Sequence, residues 1–139
     1  MRTKIFLCLI CFSSIVSADT LTVKIEDLRS DKGTIEYLVF DNKEGYPDQP
    51  KKSVRQGSIA PSEAKTGFKL DDLPSGNLAL TFIHDENANK KLDKKGIGLP
   101  DEGVGFSNNP RIFFGVPSFS RVKFKLSGTE EIIIRMKYF

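Results

Sequence analysis

Apolar and polar positions alternate along most of the chain. Leu21, Val23 and Ile25 alternate with Thr22, Lys24 and Glu26, a period of two that turns one strand face to a core and the other to water. Gly33 opens a second run over 34–40, in which Tyr37, Leu38, Val39 and Phe40 are consecutive; a strand apolar on both faces belongs inside a sheet. Phe68 and Leu70 flank Lys69 in a third. Leu78, Leu80 and Phe82 share a face in a fourth, which ends at His84. Val122, Phe124 and Leu126 alternate with Lys123 and Lys125 in a fifth. The last run sets Ile132, Ile134, Met136 and Tyr138 against Ile133, Arg135 and Lys137. Turn-forming residues separate these runs at 30–33, 71–76 and 127–129. Short strands at this spacing, without a long helical period, predict an all-β fold: a single antiparallel β-sandwich of about seven strands.

Two connections interrupt the pattern. Residues 41–62 are polar, with a periodicity that supports no more than a short helix. Residues 85–120 form a much longer connection. Structureless loops beyond about 15 residues are uncommon in compact domains and are usually functional or disordered. This one carries Ile97, Leu99, Val104, Phe106, Ile112, Phe113, Phe114 and Phe119, an apolar content that disordered segments lack. It is expected to be one long ordered loop packed on the sandwich, with a short strand around 112–114. The glycines of Gly103-Val104-Gly105-Phe106 are read as serving tight turns.

The first residues change the picture of where the domain works. Arg2 and Lys4 precede an apolar run over 5–12, and Val16-Ser17-Ala18 has the small residues of a cleavage site. That anatomy predicts a secretory signal peptide over 1–18 and an exported domain over 19–139, periplasmic or extracellular. The apolar run is too short to span a bilayer, which takes about 20 residues, so no transmembrane segment is expected. Both cysteines, Cys8 and Cys11, fall in this leader. Leu7 and Ile10 precede them where lipidation would need a small residue, and the mature domain is expected to be free of disulfides. Without Arg2 and Lys4 the 21 basic residues fall to 19 against 18 acidic ones, which leaves no electrostatic footprint for nucleic acid.

The start of the long loop is where chemistry gathers. In Asp85-Glu86-Asn87-Ala88-Asn89-Lys90-Lys91-Leu92-Asp93, oxygen side chains fall at positions 1, 3, 5 and 9, and Lys91 at position 7 offers a backbone carbonyl. Calcium takes six to eight oxygens, and EF-hand-type loops supply them at this spacing. Asp85, Asn87, Asn89, Lys91 and Asp93 are therefore the candidate calcium ligands. Position 6, ordinarily glycine, is Lys90. Position 12 is Gly96 instead of a glutamate, leaving Asp101 or Glu102 to bring the missing carboxylate. Lys90, Lys91, Lys94 and Lys95 oppose a cation here, and an Asx-rich turn bonding its own backbone is the competing reading. His84, the single histidine, supports a hydrolase reading if it pairs with Asp85 or other loop carboxylates and has a nucleophile such as Ser107, or a water, within reach. The alternative is a half-buried histidine that ties the loop down. Tyr46 and Phe106 are the candidates for a sugar-stacking platform, with core capping as the plainer role.

Two stretches resemble known families. Phe68-Lys69-Leu70-Asp71-Asp72-Leu73-Pro74-Ser75-Gly76-Asn77-Leu78-Ala79-Leu80 is similar to the strand-turn-strand signature of transthyretin-like (prealbumin-like) and Cna-B-type sandwiches. Residues 84–93, with Gly98-Leu99-Pro100-Asp101-Glu102-Gly103-Val104-Gly105-Phe106-Ser107-Asn108-Asn109, resemble a bacterial family of exported proteins catalogued as a domain of unknown function (DUF 2141). That resemblance covers nearly all of 19–139 and implies an exported sandwich, but no activity. The family usually has glycine near Lys90. The sequence thus predicts a non-enzymatic secreted or periplasmic module that binds an unidentified ligand or envelope protein. The hydrolase built on His84 and the loop carboxylates is its alternative.

Overall fold

The computed structural model describes residues 19–96 and 98–139; the leader expected over 1–18 lies outside the described residues. Among these, the chain forms eight strands and two short α-helices: β1 (Asp19–Glu26), β2 (Thr34–Phe40), β3 (Arg55–Ile59), α1 (Pro61–Thr66), β4 (Phe68–Leu73), β5 (Gly76–Asp85), β6 (Gly103–Phe106), α2 (Phe119–Val122), β7 (Phe124–Leu126) and β8 (Thr129–Arg135). One sheet runs β4-β1-β8 and the other β3-β2-β5-β6, with β7 pairing to the start of β5.

The alternation read from the sequence is the inward face of each sheet. Leu21, Val23 and Ile25 of β1 join Leu70 of β4 and Ile134 of β8; against them pack Ile35 and Val39 of β2 with Leu78, Leu80 and Phe82 of β5, all buried in one core. The doubly apolar β2 is interior, between β3 and β5. A second cluster covers the opposite face of the larger sheet. Ala79 of β5 meets Val104 and Phe106 of β6 and Val122 of α2, flanked by Tyr46, Ile112 and Phe119. The long connection thus packs on the sheet, as its apolar content predicted.

Three expectations need correction. The sheets are not purely antiparallel: β1 and β8 pair in parallel from Thr20↔Thr129 to Glu26↔Arg135. A hairpin cannot make such a pair. Here the whole intervening chain is the crossover, and β8 reaches β1 after a turn at Gly128 (φ 72°). The described residues hold eight strands, two of which, β3 and β6, carry no alternation of apolar and polar side chains that marks them in the sequence. Gly103–Phe106 is not a turn but the edge strand β6, paired to β5. Its glycines allow close approach, since a Cβ on Gly105 would lie 2.7 Å from both Ile134 Cγ2 and Met136 Sδ. Finally, residues 112–114 form no strand, and Val122 lies in α2. Asn108 Nδ2 donates to the carbonyls of Val122 (3.1 Å) and Lys123 (2.7 Å), so side-chain bonds there replace a ladder. The polar stretch 41–62 holds a 3-10 turn at Pro50–Lys52 and β3. No described helix is long and apolar enough to cross a membrane.

Candidate functional site

Strand β5 delivers Asp85 to the rim of the larger sheet, opposite Thr34. The chain then turns at once, and the Asp85 carboxylate, fully buried, ties that turn. Its Oδ1 accepts from the Asn89 N–H at 3.1 Å and its Oδ2 from the Lys90 N–H at 2.6 Å. Ala88 and Lys90 both take left-handed backbone, φ 55° and 58°. Lys90 therefore adopts the conformation for which glycine is favoured, at a local cost of about 1 kcal/mol. The departure from the usual pattern leaves the turn intact.

The remaining sequence candidates fall together around this turn. Asn87 Oδ1 accepts from the Asn89 N–H at 3.1 Å, and Asn89 Oδ1 from the Lys91 N–H at 2.9 Å. Both amides donate to the Asp93 carboxylate, Asn87 at 2.7 Å and Asn89 at 3.0 and 3.1 Å. Asp85, Asn87, Asn89, Lys91 and Asp93 thus form one local network, much of it the self-bonded Asx pattern. The four lysines point outward: Lys90, Lys91, Lys94 and Lys95 are exposed, and Lys95 pairs with Asp101 at 3.4 Å. Their charge is screened by water instead of being pressed into the loop.

Of the two further carboxylates, Asp101 is the one at the surface and Glu102 the one turned in. The Asp101 N–H bonds the Asp93 carbonyl at 2.8 Å, and this brings Glu102 under the loop just before β6. Glu102 is 4 % exposed. Its Oε2 accepts from the Asp93 N–H at 3.3 Å, whereas its Oε1 is buried with no hydrogen-bond partner. The carboxyl also lies against that of Asp85. Burial, followed by the charges of Asp85 and Asp93, pushes the Glu102 carboxyl up to about 7, against the pull of the Asp93 N–H. An open cleft of about 430 Å³ runs between residues 29–32 and the loop, with Asn87, Asp93 and Glu102 on its wall.

A brace that sequence reading missed closes the other side of this cleft. The Arg29 guanidinium bonds Glu86 through Nε (3.1 and 3.2 Å) and Nη2 (2.5 Å), and donates to the Asp101 carbonyl at 3.0 Å. Ser30 Oγ donates to Glu86 at 2.6 Å. These two partners, against a smaller effect of burial, hold the Glu86 carboxyl down at about 2. The partners lie 57 residues apart in the chain, and no local pattern announces them.

His84 is fully buried. Its Nε2 faces the Lys32 carbonyl at 2.8 Å, which can only accept, so Nε2 carries the hydrogen. The Tyr138 hydroxyl accepts from the Arg29 N–H at 3.3 Å and is hydrogen-bonded to His84 Nδ1, 2.7 Å away. Both ring nitrogens are engaged in holding the 29–33 turn and the chain after β8. Ser107 is engaged elsewhere: its hydroxyl donates to the Val122 carbonyl (2.7 Å) and accepts from the Leu80 N–H (3.0 Å). Leu80 is four residues before His84 on β5, roughly 13 Å along a strand. His84 and Ser107, the nucleophile candidate, are not paired. The sugar-platform candidates are part of the outer cluster, Tyr46 flanking it and Phe106 buried in it.

Among the described residues, no three His, Cys, Asp or Glu side chains converge into a group that could hold a metal by themselves. What the loop offers is a mixed set of carboxylate, amide and carbonyl oxygens, the donor types calcium takes. Residues 23–134 match the model of a family described as an uncharacterized protein conserved in bacteria (DUF2141). The chain belongs to this family. The matched span includes the whole Asp85–Glu102 loop and its Glu86 brace, so the candidate site lies inside the family's own domain. No curated protein and no solved structure matches the chain.

Proposed function

We propose that this DUF2141 chain is a non-enzymatic, exported β-sandwich module whose Asp85–Glu102 loop holds a calcium ion. The oxygens come from Asp85, Asn87, Asn89, the Lys91 carbonyl and Asp93, with Glu102 in the place of the carboxylate that position 12 lacks. The observation that carries the reading is Glu102 Oε1. A buried carboxylate oxygen without a partner, set against a second buried carboxylate, costs stability unless a proton or a cation joins it. A calcium ion between them removes that cost and has the oxygen chemistry the loop supplies. For it to enter, the Asp85, Asp93 and Glu102 carboxylates, which form no metal-holding group as they stand, draw together, and the Asn87 and Asn89 amides exchange their bonds to Asp93 for oxygen contacts with the ion. The single domain over 19–139, its export and its sandwich architecture are parts of the same proposal.

The test is thermal melting of the 19–139 domain in chelator and in millimolar calcium. Calcium that binds only the folded state raises its stability by about 2.7 kcal/mol at one hundred times its dissociation constant. Asp85→Ala and Asp93→Ala are expected to abolish the increment, and His84→Ala to retain it, since calcium prefers oxygen to imidazole. An unchanged wild-type melt would leave the loop as an Asx turn and remove the ion from the account.

A further inference from the structure

A second feature lies on the connection between β6 and α2, apart from the calcium loop. The segment 109–117 is fastened firmly at its base. Asn109 Nδ2 donates to the Ile133 carbonyl (2.8 Å), and its Oδ1 accepts from the Arg135 N–H (2.7 Å). Arg121 donates to the Arg111 carbonyl at 3.0 Å, and the Tyr46 hydroxyl to that of Pro117 at 2.8 Å. Between these ties the chain turns through Gly115 (φ 67°) and points its apolar side chains away from the core. Phe113 is 74 % exposed, Phe114 100 % and Val116 57 %. Two aromatic rings held in water by an anchored turn are not a by-product of packing, since Ile112 beside them reaches the outer cluster.

Charge accompanies the tip. Arg111 lies on the segment itself and Arg121 is bonded to its carbonyl, both side chains exposed. Lys137 lies beside Phe113 across a shallow hollow. Three apolar side chains at the end of a turn are too small a patch for a stable protein partner, which covers roughly 800 Å² on each side. They do suit shallow entry at a bilayer boundary, with cations at headgroup level. We propose that this turn docks the domain on an anionic lipid surface, with Phe113, Phe114 and Val116 entering the acyl boundary and Arg111, Arg121 and Lys137 meeting headgroup phosphates. The occupant follows from charge complementarity and from the size of the patch, and it does not depend on calcium.

The experiment is vesicle flotation of the 19–139 domain in chelator, with phosphatidylcholine alone and with phosphatidylglycerol added; the apolar leader is omitted because it would itself partition. Binding is expected to require phosphatidylglycerol and to weaken with salt. Phe113→Ser combined with Phe114→Ser should lower the partition coefficient at least about tenfold, given the apolar area removed, and leave the melting temperature unchanged. A Phe114→Trp variant should shift its emission to the blue on anionic vesicles. Equal binding by wild type and the double variant overturns the proposal, as does a tryptophan whose emission does not move. It is also overturned if the wild type ignores phosphatidylglycerol vesicles, whether or not it self-associates through the turn in sedimentation.

Discussion

Replacing Glu102 by Gln separates the charge on this residue from its shape. Without calcium, ionised Glu102 strains the fold. Its carboxyl moves from 4.5 to about 7 on folding. At pH values below 4.5 both states are protonated and the residue contributes no difference. Between 4.5 and 7 the native state holds a proton that the unfolded chain has released, so stability falls as pH rises; above 7 the loss is complete. At about 1.4 kcal/mol for each pH unit, the loss over these roughly 2.5 units is on the order of 3.5 kcal/mol. Glu102→Gln carries no charge and its amide can donate to Asp85. In chelator the variant should therefore be more stable than wild type at pH 8 by most of that amount, and nearly equal to it at pH 4. In calcium the order should reverse, because the variant loses an anionic ligand. Urea denaturation at both pH values, in chelator and in calcium, reads all four cases. A variant less stable than wild type at pH 8 in chelator would refute the reasoning, since Glu102 would then be satisfied in a way the geometry does not provide.

Two further outcomes follow from the same loop. Lys90→Gly relieves a left-handed residue at φ 58° and should gain up to about 1 kcal/mol, less what the freer unfolded chain takes back; a loss of more than this in the denaturation midpoint would contradict it. The Arg29 and Ser30 bonds hold Glu86 at about 2, so their contribution is present above pH 4.5 and disappears as pH falls toward 2. Glu86→Gln should flatten that acid limb of the stability profile, and an unchanged limb would count against the brace.

Much of the sheet was legible because burial on one face writes itself as alternation. Leu21-Val23-Ile25, Leu78-Leu80-Phe82 and Ile132-Ile134-Met136 are inner-face positions in the structure too. Strand β3 stayed hidden because Arg55-Gln56-Gly57-Ser58 carries almost no apolar side chain. It forms through its ladder to β2, and the Tyr37 ring lies over Gly57, where a Cβ would come within 2.6 Å of Cζ. Strand β6 hid behind two glycines whose small size answers to Ile134, Met136 and Tyr138, some thirty residues later. The parallel pairing of β1 with β8 is a contact between the two ends of the fold, which no local pattern encodes. In the candidate site, the spacing of Asp85, Asn87, Asn89 and Asp93 was enough to gather them. Asp101 and Glu102 are neighbours with the same chemistry, and only the bond from the Asp101 N–H to the Asp93 carbonyl decides which is buried.

The central claim, that the loop is a calcium site, is tested most directly by amide proton–nitrogen NMR of the 19–139 domain titrated with calcium. The account predicts saturable shifts concentrated at Asn89, Lys90, Lys91 and Asp93, whose N–H groups bond Asp85, Asn89 and Glu102 oxygens, with the Glu102 amide moving among them. It also predicts that the inner-face strand amides stay in place and that Asp93→Ala erases the response. Amide signals over 85–102 that remain unmoved in millimolar calcium would contradict it.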